Sequence, residues 1–314
     1  MSAIPCTTAR KSKISGAAAF AESSDASRLE TIDRAPAARR QSTDPPLRDH
    51  VIDSLKPVSA TALPCKICGG PTVLYGVVDF HKSCEEARGI HFSLAGVPIY
   101  YRRCANCKFL FTDAFDHWTH DDFRRYIYND EYILVDPDYR TARPRVNAEY
   151  VVRHWAATKA ETHVLDFGGG NDTFCAALRE SGFPIAVTYD PMVPEFATPP
   201  RGKYDLVTSF ETFEHLPDPI AGIASILEFA ADPGLIFFTT LLQPSDFDQQ
   251  GLNWWYVGPR NGHVSLFSRQ ALTAAWQRYG YKVASLADNI HFAFRTLPKF
   301  LAHLQKETPT ALVQ

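Results

Sequence analysis

Several features are scarce in this sequence of 314 residues. No run of about 18 apolar residues occurs in it, which argues against a membrane span. The N-terminus has no continuous apolar stretch of the kind a secretory signal needs. Neither sign of charge is in excess. Lys and Arg number 32 against 35 Asp and Glu, a net −3, so no global basic field argues for nucleic acid as a partner. The seven cysteines are an odd count and a poor disulfide framework in a chain this long. Four of them stand in two C-x-x-C pairs, which points to metal in a reducing compartment and hence to a cytoplasmic protein. What is plentiful is ordinary for a globular protein, 45% hydrophobic and 12% aromatic residues. The length allows one large domain or two of average size, and nothing in it reports oligomeric state.

Composition divides the chain. Residues 1–58 are dominated by Ala, Ser, Arg, Thr and Pro and read as a disordered tail. Its first 21 residues carry Arg10, Lys11 and Lys13 with no acid, a composition shared by transit peptides and by ordinary Ala/Arg-rich tails. Residues 59–115 are a small module of cysteines, glycines and short β-type runs, and 116–144 a polar, aromatic, partly helical linker. From 145 to 300 strands and helices alternate, the signature of an α/β domain with a largely parallel sheet. A helix is expected over Arg145 to Ala157, where Val146, Tyr150, Val151 and Trp155 recur at helical spacing. Residues 301–314 form a C-terminal tail.

The cysteine pairs carry the first chemistry. Each of Cys65-x-x-Cys68 and Cys104-x-x-Cys107 places two thiolates on one side of a tight turn, and together they make a tetrahedral site for zinc. Four thiolates leave no position for water, so the zinc is expected to be structural. His81, Cys84 and His91 lie between the pairs as substitute ligands.

The second chemistry lies in "VLDFGGGND". Asp166 and Phe167 end a strand, Gly168, Gly169 and Gly170 form a turn, and Asp172 opens a helix. Backbone amides in such a turn approach a ligand closely. Asp190 ends the next strand, where an acid accepts hydrogen bonds from both hydroxyls of a ribose. A dinucleotide would want G-x-G-x-x-G for its pyrophosphate, and Asp172 would repel one. A nucleoside with a cationic, phosphate-free tail fits better. S-adenosylmethionine is such a molecule, with Asp166 placed to draw its ammonium group.

Three pieces, "VLDFGGGND", "VTYDP" and "YDLVTSFETFEHLPDP", stand in the order and spacing of the class I S-adenosylmethionine-dependent methyltransferases, which this sequence resembles over roughly residues 145–295. The E-H-L-P run looks like the branch acting on small molecules. The resemblance implies a Rossmann-like methyltransferase sheet with helices on both faces. It implies that Asp166, Gly168 and Gly170, with Gly169 between them, line the methionine and ribose, that Asp190 holds the ribose, and that Phe210 and Glu211 border the sulfonium. One departure stands out: only fourteen residues, rich in proline, separate Asp190 from Asp205, where the family fits a helix and a third strand. That leaves the adenine contact unassigned. A zinc module ahead of such a domain is similar to the first two modules of sugar C-methyltransferases, whose further C-terminal domain has no counterpart here.

The acceptor is expected beside "NWWYVGPRNGHVSLFS". Trp254, Trp255 and Tyr256 would stack on a ring or sugar face, and Arg260 would pair with an anionic group. His263, in the same loop, is the expected general base, with His215 its rival. The leading reading is methyl transfer to oxygen, nitrogen or carbon of a small molecule. An RNA methyltransferase gripping through the zinc module, and a catalytically silent binding protein of the same fold, are the alternatives.

Overall fold

The computed structural model describes residues 63–296, all within one compact unit. The two expected tails lie outside the described residues. Among the described residues, ten strands form two sheets. The larger contains β4 (His163–Phe167), β5 (Ile185–Tyr189), β6 (Tyr204–Ser209), β7 (Ala230–Thr239), β9 (Lys282–Ser285) and β10 (Ile290–Phe294), in the order β5-β4-β6-β7-β10-β9. Strands β5, β4, β6 and β7 run parallel, and β10 is antiparallel to both β7 and β9. This is the alternating α/β architecture the sequence pattern predicts, closed by the expected antiparallel pair.

Local chemistry explains these elements. Strand β4 is buried at Val164, Leu165, Asp166 and Phe167 without alternation, as expected of a strand covered on both faces. Asp172 stands at the N-cap of α4 (Thr173–Glu180), but its carboxylate pairs with Arg179 instead of the helix amides. Asn171 takes the Thr173 amide in its place, at 2.9 Å. Helix α5 (Pro219–Leu227) starts with Pro219 in its first turn, and Asp218 accepts from the amides of Ile220 and Ala221. Helix α7 (Arg269–Gln277) is capped by Ser268. Residues 191–203 contain no helix or strand, so the parallel sheet ends at β5 with no further strand outside it among the described residues.

Helix α3 spans Ala142–His154, three residues upstream of the expected start. Its inward face is Asn147, Ala148 and Val151, continued by Trp155, while Val146 is 43% exposed. The apolar periodicity located the helix, but a buried polar residue, Asn147, occupies the face assigned to Val146.

The smaller sheet joins β1 (Thr72–Asp79), β2 (Pro98–Cys104), β3 (Leu110–Phe111) and β8 (Ser265–Leu266) in that order. Its last strand comes from the loop beyond β7, with Leu110 opposite Leu266. The cysteine segment therefore shares its sheet with the α/β region. It shares its core too. Phe109 lies 5.1 Å from Phe267 between ring centres, and Phe267 lies 6.3 Å from Phe213. Burial at this junction is continuous from Ile67 to Trp276.

Candidate functional site

A cleft of about 890 Å³ opens at the C-terminal ends of β4, β5 and β6, within the range of ligand pockets. Asp166, Gly168, Gly169, Gly170, Asp190, Phe210 and Glu211 all border it. Gly168 and Gly170 have φ of 76° and 65°, which an L side chain rarely adopts. Gly169 has another reason: a Cβ there would collide with Oδ2 of Asp166. The acid and the glycine thus require each other. One carries the charge and the other leaves room for it beneath the turn.

The two acids are held differently. Asp166 is buried and accepts from the Thr208 hydroxyl at 2.7 Å. Burial pushes its carboxyl up to about 7. Asp190 clasps the glycine turn, accepting from the Gly170 amide at 2.9 Å and the Met192 amide at 2.8 Å. Burial raises its carboxyl and these amides oppose that rise. Phe210 packs edge-on against Phe174, 5.3 Å away, giving that part of the cleft an apolar floor. Glu211 follows with φ of 50°, a conformation uncommon outside glycine. The Thr239 hydroxyl fixes it, accepting from the Glu211 amide and donating to Oε1 at 2.8 Å. Such an outlier in a cleft marks a carboxylate whose position matters more than its backbone comfort.

Much of the remaining lining comes from upstream, from Trp118 to Asn147, with further residues from 191–194 and 212–225. Helices α1 (His120–Tyr126) and α2 (Tyr132–Val135) and the start of α3 bring Phe123, Tyr128, Tyr132 and Tyr139 into the cleft. Tyr132 meets Tyr128 and Tyr139 in T-shaped pairs at 5.0 and 5.1 Å. Arg143 binds Asp136 through two hydrogen bonds of 2.8 and 2.9 Å, tying α3 to the end of α2. None of these side chains was singled out from the sequence, although the density of tyrosines between 126 and 139 was visible there.

The loop expected to hold the acceptor lies elsewhere. Trp254, Trp255, Tyr256, Arg260 and His263 do not border the cleft. Trp254 and Tyr256 are buried with Phe80, Ile99 and Tyr101 beneath the small sheet, and Trp255 is 42% exposed. Arg260 is buried and donates to the carbonyl of Ile127 at 3.0 Å, at the end of α1. Asn261 accepts from the Cys84 amide and donates to the carbonyl of Val135. Polar groups in "GPRNG" therefore fasten the cysteine segment and the tyrosine segment to the α/β region, a structural use that spacing alone does not reveal. His263 is buried behind His215, the two rings 4.9 Å apart, and of the pair His215 reaches the cleft. Burial lowers both imidazoles, that of His215 to about 4, so both are neutral near neutral pH.

Cys65, Cys68, Cys104 and Cys107 converge, with Sγ separations of 3.6 Å for Cys65–Cys107 and 3.5 Å for Cys68–Cys104. A tetrahedron with metal–sulfur bonds of about 2.3 Å has edges of about 3.8 Å, so the donor set fits zinc. The two turns match one another. Gly69 and Lys108, each four residues after the first cysteine, have φ of 70° and 61° and donate back to its carbonyl. Amides of Ile67 and Cys107 point at Sγ of Cys65 and Cys104. His81 bonds the Ser93 carbonyl and Cys84 lies 3.5 Å from His263, both apart from this cluster.

Residues 139–286 match the family described as a methyltransferase domain. The match covers α3 to β9, the region holding the glycine turn and both acids. Among curated proteins, the ubiquinone biosynthesis O-methyltransferase of Bordetella bronchiseptica is 40% identical over 62 residues, 20% of this chain and 25% of that protein. That of Methylococcus capsulatus is 39% identical over 64 residues, 20% and 26% of the respective chains. The chain thus spans about a quarter of the length of the curated relatives it matches. Magnesium protoporphyrin IX methyltransferase from Synechocystis, with bound SAH, superposes with a TM-score of 0.39 at 17% identity, covering 58% of this chain and 97% of that one. Among the described residues, no helix is long and apolar enough to cross a membrane.

Proposed function

We propose that the protein transfers the methyl group of S-adenosylmethionine to a small-molecule acceptor. The observation that carries this reading is the pairing of the Asp166–Gly169 turn with Asp190 on one cleft. Asp190, already oriented by two amides, offers its remaining lone pairs to the ribose. Asp166 lies where the ammonium of the methionine part would draw it into its charged form. Phe210 and Phe174 border the sulfonium with apolar surface. Methyl transfer is an in-line displacement, so alignment of donor and acceptor supplies much of the acceleration.

The tyrosine-rich lining from 118 to 147 is the acceptor side in this reading, in place of the loop at 254–263. An acceptor that must lose a proton meets Glu211 and His215 across from that lining, besides His120 and Asp136 within it. His263 reaches it only through His215. The four thiolates hold a closed, structural zinc ion that fastens the cysteine turns to the aromatic core shared with the methyltransferase domain.

The test is turnover of labelled S-adenosylmethionine with pools of small acceptors, read as S-adenosylhomocysteine released and methylated product by mass spectrometry. Release matched by a methylated small molecule supports the proposal. Methylated RNA instead would favour the nucleic-acid reading, and tight cofactor binding with no product from either pool a silent binding protein.

A further inference from the structure

A second cluster of ligating side chains lies apart from the four cysteines. Glu214 and His215 end the short helical turn after β6, and His263 lies in the loop that leads into β8. One ligand atom of each lies within 4.8 Å of the others. Three details distinguish this cluster from a chance meeting of polar residues.

First, Glu214 is fully buried and neither carboxylate oxygen has a hydrogen-bond partner. The Tyr256 and Thr240 hydroxyls lie close enough to favour its charged form but outside good hydrogen-bond geometry to either oxygen. A buried acid so weakly partnered is a costly arrangement that a cation would relieve. Second, each imidazole uses Nδ1 on a backbone carbonyl: His215 on Gly262 at 3.1 Å and His263 on Tyr256 at 2.8 Å. A carbonyl only accepts, so Nδ1 carries the proton and Nε2 presents its lone pair, as in ligating histidines. Third, Nε2 of His215 is 3.9 Å from Oε1 of Glu214. A tetrahedral site with bonds of about 2.0–2.1 Å has edges of about 3.3 Å, so this edge closes with a shift of about half an ångström, and the edges to His263, within 4.8 Å, with at most about 1.5 Å.

We infer that Glu214, His215 and His263 form a binding site for a first-row divalent cation, separate from the cysteine cluster. Two imidazoles and one carboxylate suit zinc, iron, cobalt or manganese, whereas magnesium and calcium prefer oxygen. The site leaves coordination positions open, and His215 borders the cleft, so the cation lies one side chain from the acceptor space. The inference does not depend on the identity of the methyl donor.

The experiment titrates the purified full-length chain, its thiolate cluster filled with zinc, with cobalt(II) alone. Uptake is followed by calorimetry and visible absorption. One further equivalent is expected, with ligand-field bands but no sulfur-to-metal charge-transfer absorption. Glu214→Gln keeps the shape of the side chain and should weaken that binding about 100-fold or more, as should His263→Gln, with the zinc content unchanged. Absence of a further equivalent in the wild-type chain overturns the inference, as does binding unaltered in both variants. Should the variants fail to fold, X-ray absorption at the cobalt edge of the wild-type protein decides. Two imidazoles and a carboxylate uphold the site, and any shell without imidazole overturns it.

Discussion

The glycine side of the cleft comes from one strand, one turn and one helix start within residues 166–174, with a single acid added from the neighbouring strand end. The tyrosine side is assembled from two short helices, the start of a third and the coil between them. It is held in place by contacts with residues more than a hundred positions away, such as Arg260 to Ile127 and Asn261 to Val135. The first side is local and rigid, because backbone conformation and a buried acid specify it together. The second is conditional, because it exists only where the 258–263 loop and the small sheet fasten it. Cofactor chemistry placed on the first side and acceptor choice placed on the second would let the acceptor change while the turn stays fixed.

Removing the zinc proposed for the four thiolates is the most severe way to break this comparison. The thiolate turns share their core with Phe213, Phe267 and Trp276. Cys104→Ser should therefore forfeit metal binding free energy on the order of 10 kcal/mol and unfold both sides together. A thermal melt with one lost transition and no retained cofactor binding is the expected result. A variant that loses zinc but binds S-adenosylmethionine normally would separate what the structure joins.

The next effect is confined to the glycine side. Asp190→Ala should weaken S-adenosylmethionine by about 1.5–3 kcal/mol, through lost hydrogen bonds to a charged group and a loosened Gly170 turn. Calorimetric titration reads this directly, and an unchanged Kd would remove Asp190 from the site.

The same side should respond to pH. Asp166, raised by burial to about 7, is largely protonated in mildly acid solution. A cationic ligand stabilises its charged form, so affinity should rise between about pH 5.5 and about pH 7.5, by at most about tenfold per unit. The profile should flatten in Asp166→Asn. Affinity falling over that range in the wild-type chain would reverse the sign of the argument.

How much of this the sequence revealed follows the same division. The turn, both acids, the sheet and the convergent cysteines were legible, because each is encoded in a short stretch or in a spacing with few physical solutions. The tyrosine side was not, since nothing in "DDFRRYIYNDEYILVDPDY" says which distant loop it packs against. Trp254, Tyr256 and Arg260 misled for the related reason that aromatic and cationic side chains serve buried junctions as well as ligands. His263 was expected to be the general base, but its depth behind His215 depends on where Tyr256 and Gly258 fold back.

A paired substitution separates the two placements of the acceptor. Tyr128→Ala should raise the acceptor KM by roughly 1 kcal/mol, about fivefold, and leave S-adenosylmethionine affinity unchanged. Trp255→Ala, at a half-exposed position outside the cleft, should stay within about 0.5 kcal/mol in stability and leave both constants unmoved. The opposite pattern would return the acceptor to the loop at 254–263.

The central claim is that the Asp166–Gly169 turn and Asp190 receive a nucleoside with a cationic tail and no phosphate. Calorimetric titration of the full-length protein with S-adenosylmethionine, with NAD as competitor, tests it most directly. One site per chain, a Kd of micromolar order (about −8 kcal/mol) and no displacement by NAD is the predicted result. Binding of NAD without binding of S-adenosylmethionine would contradict it.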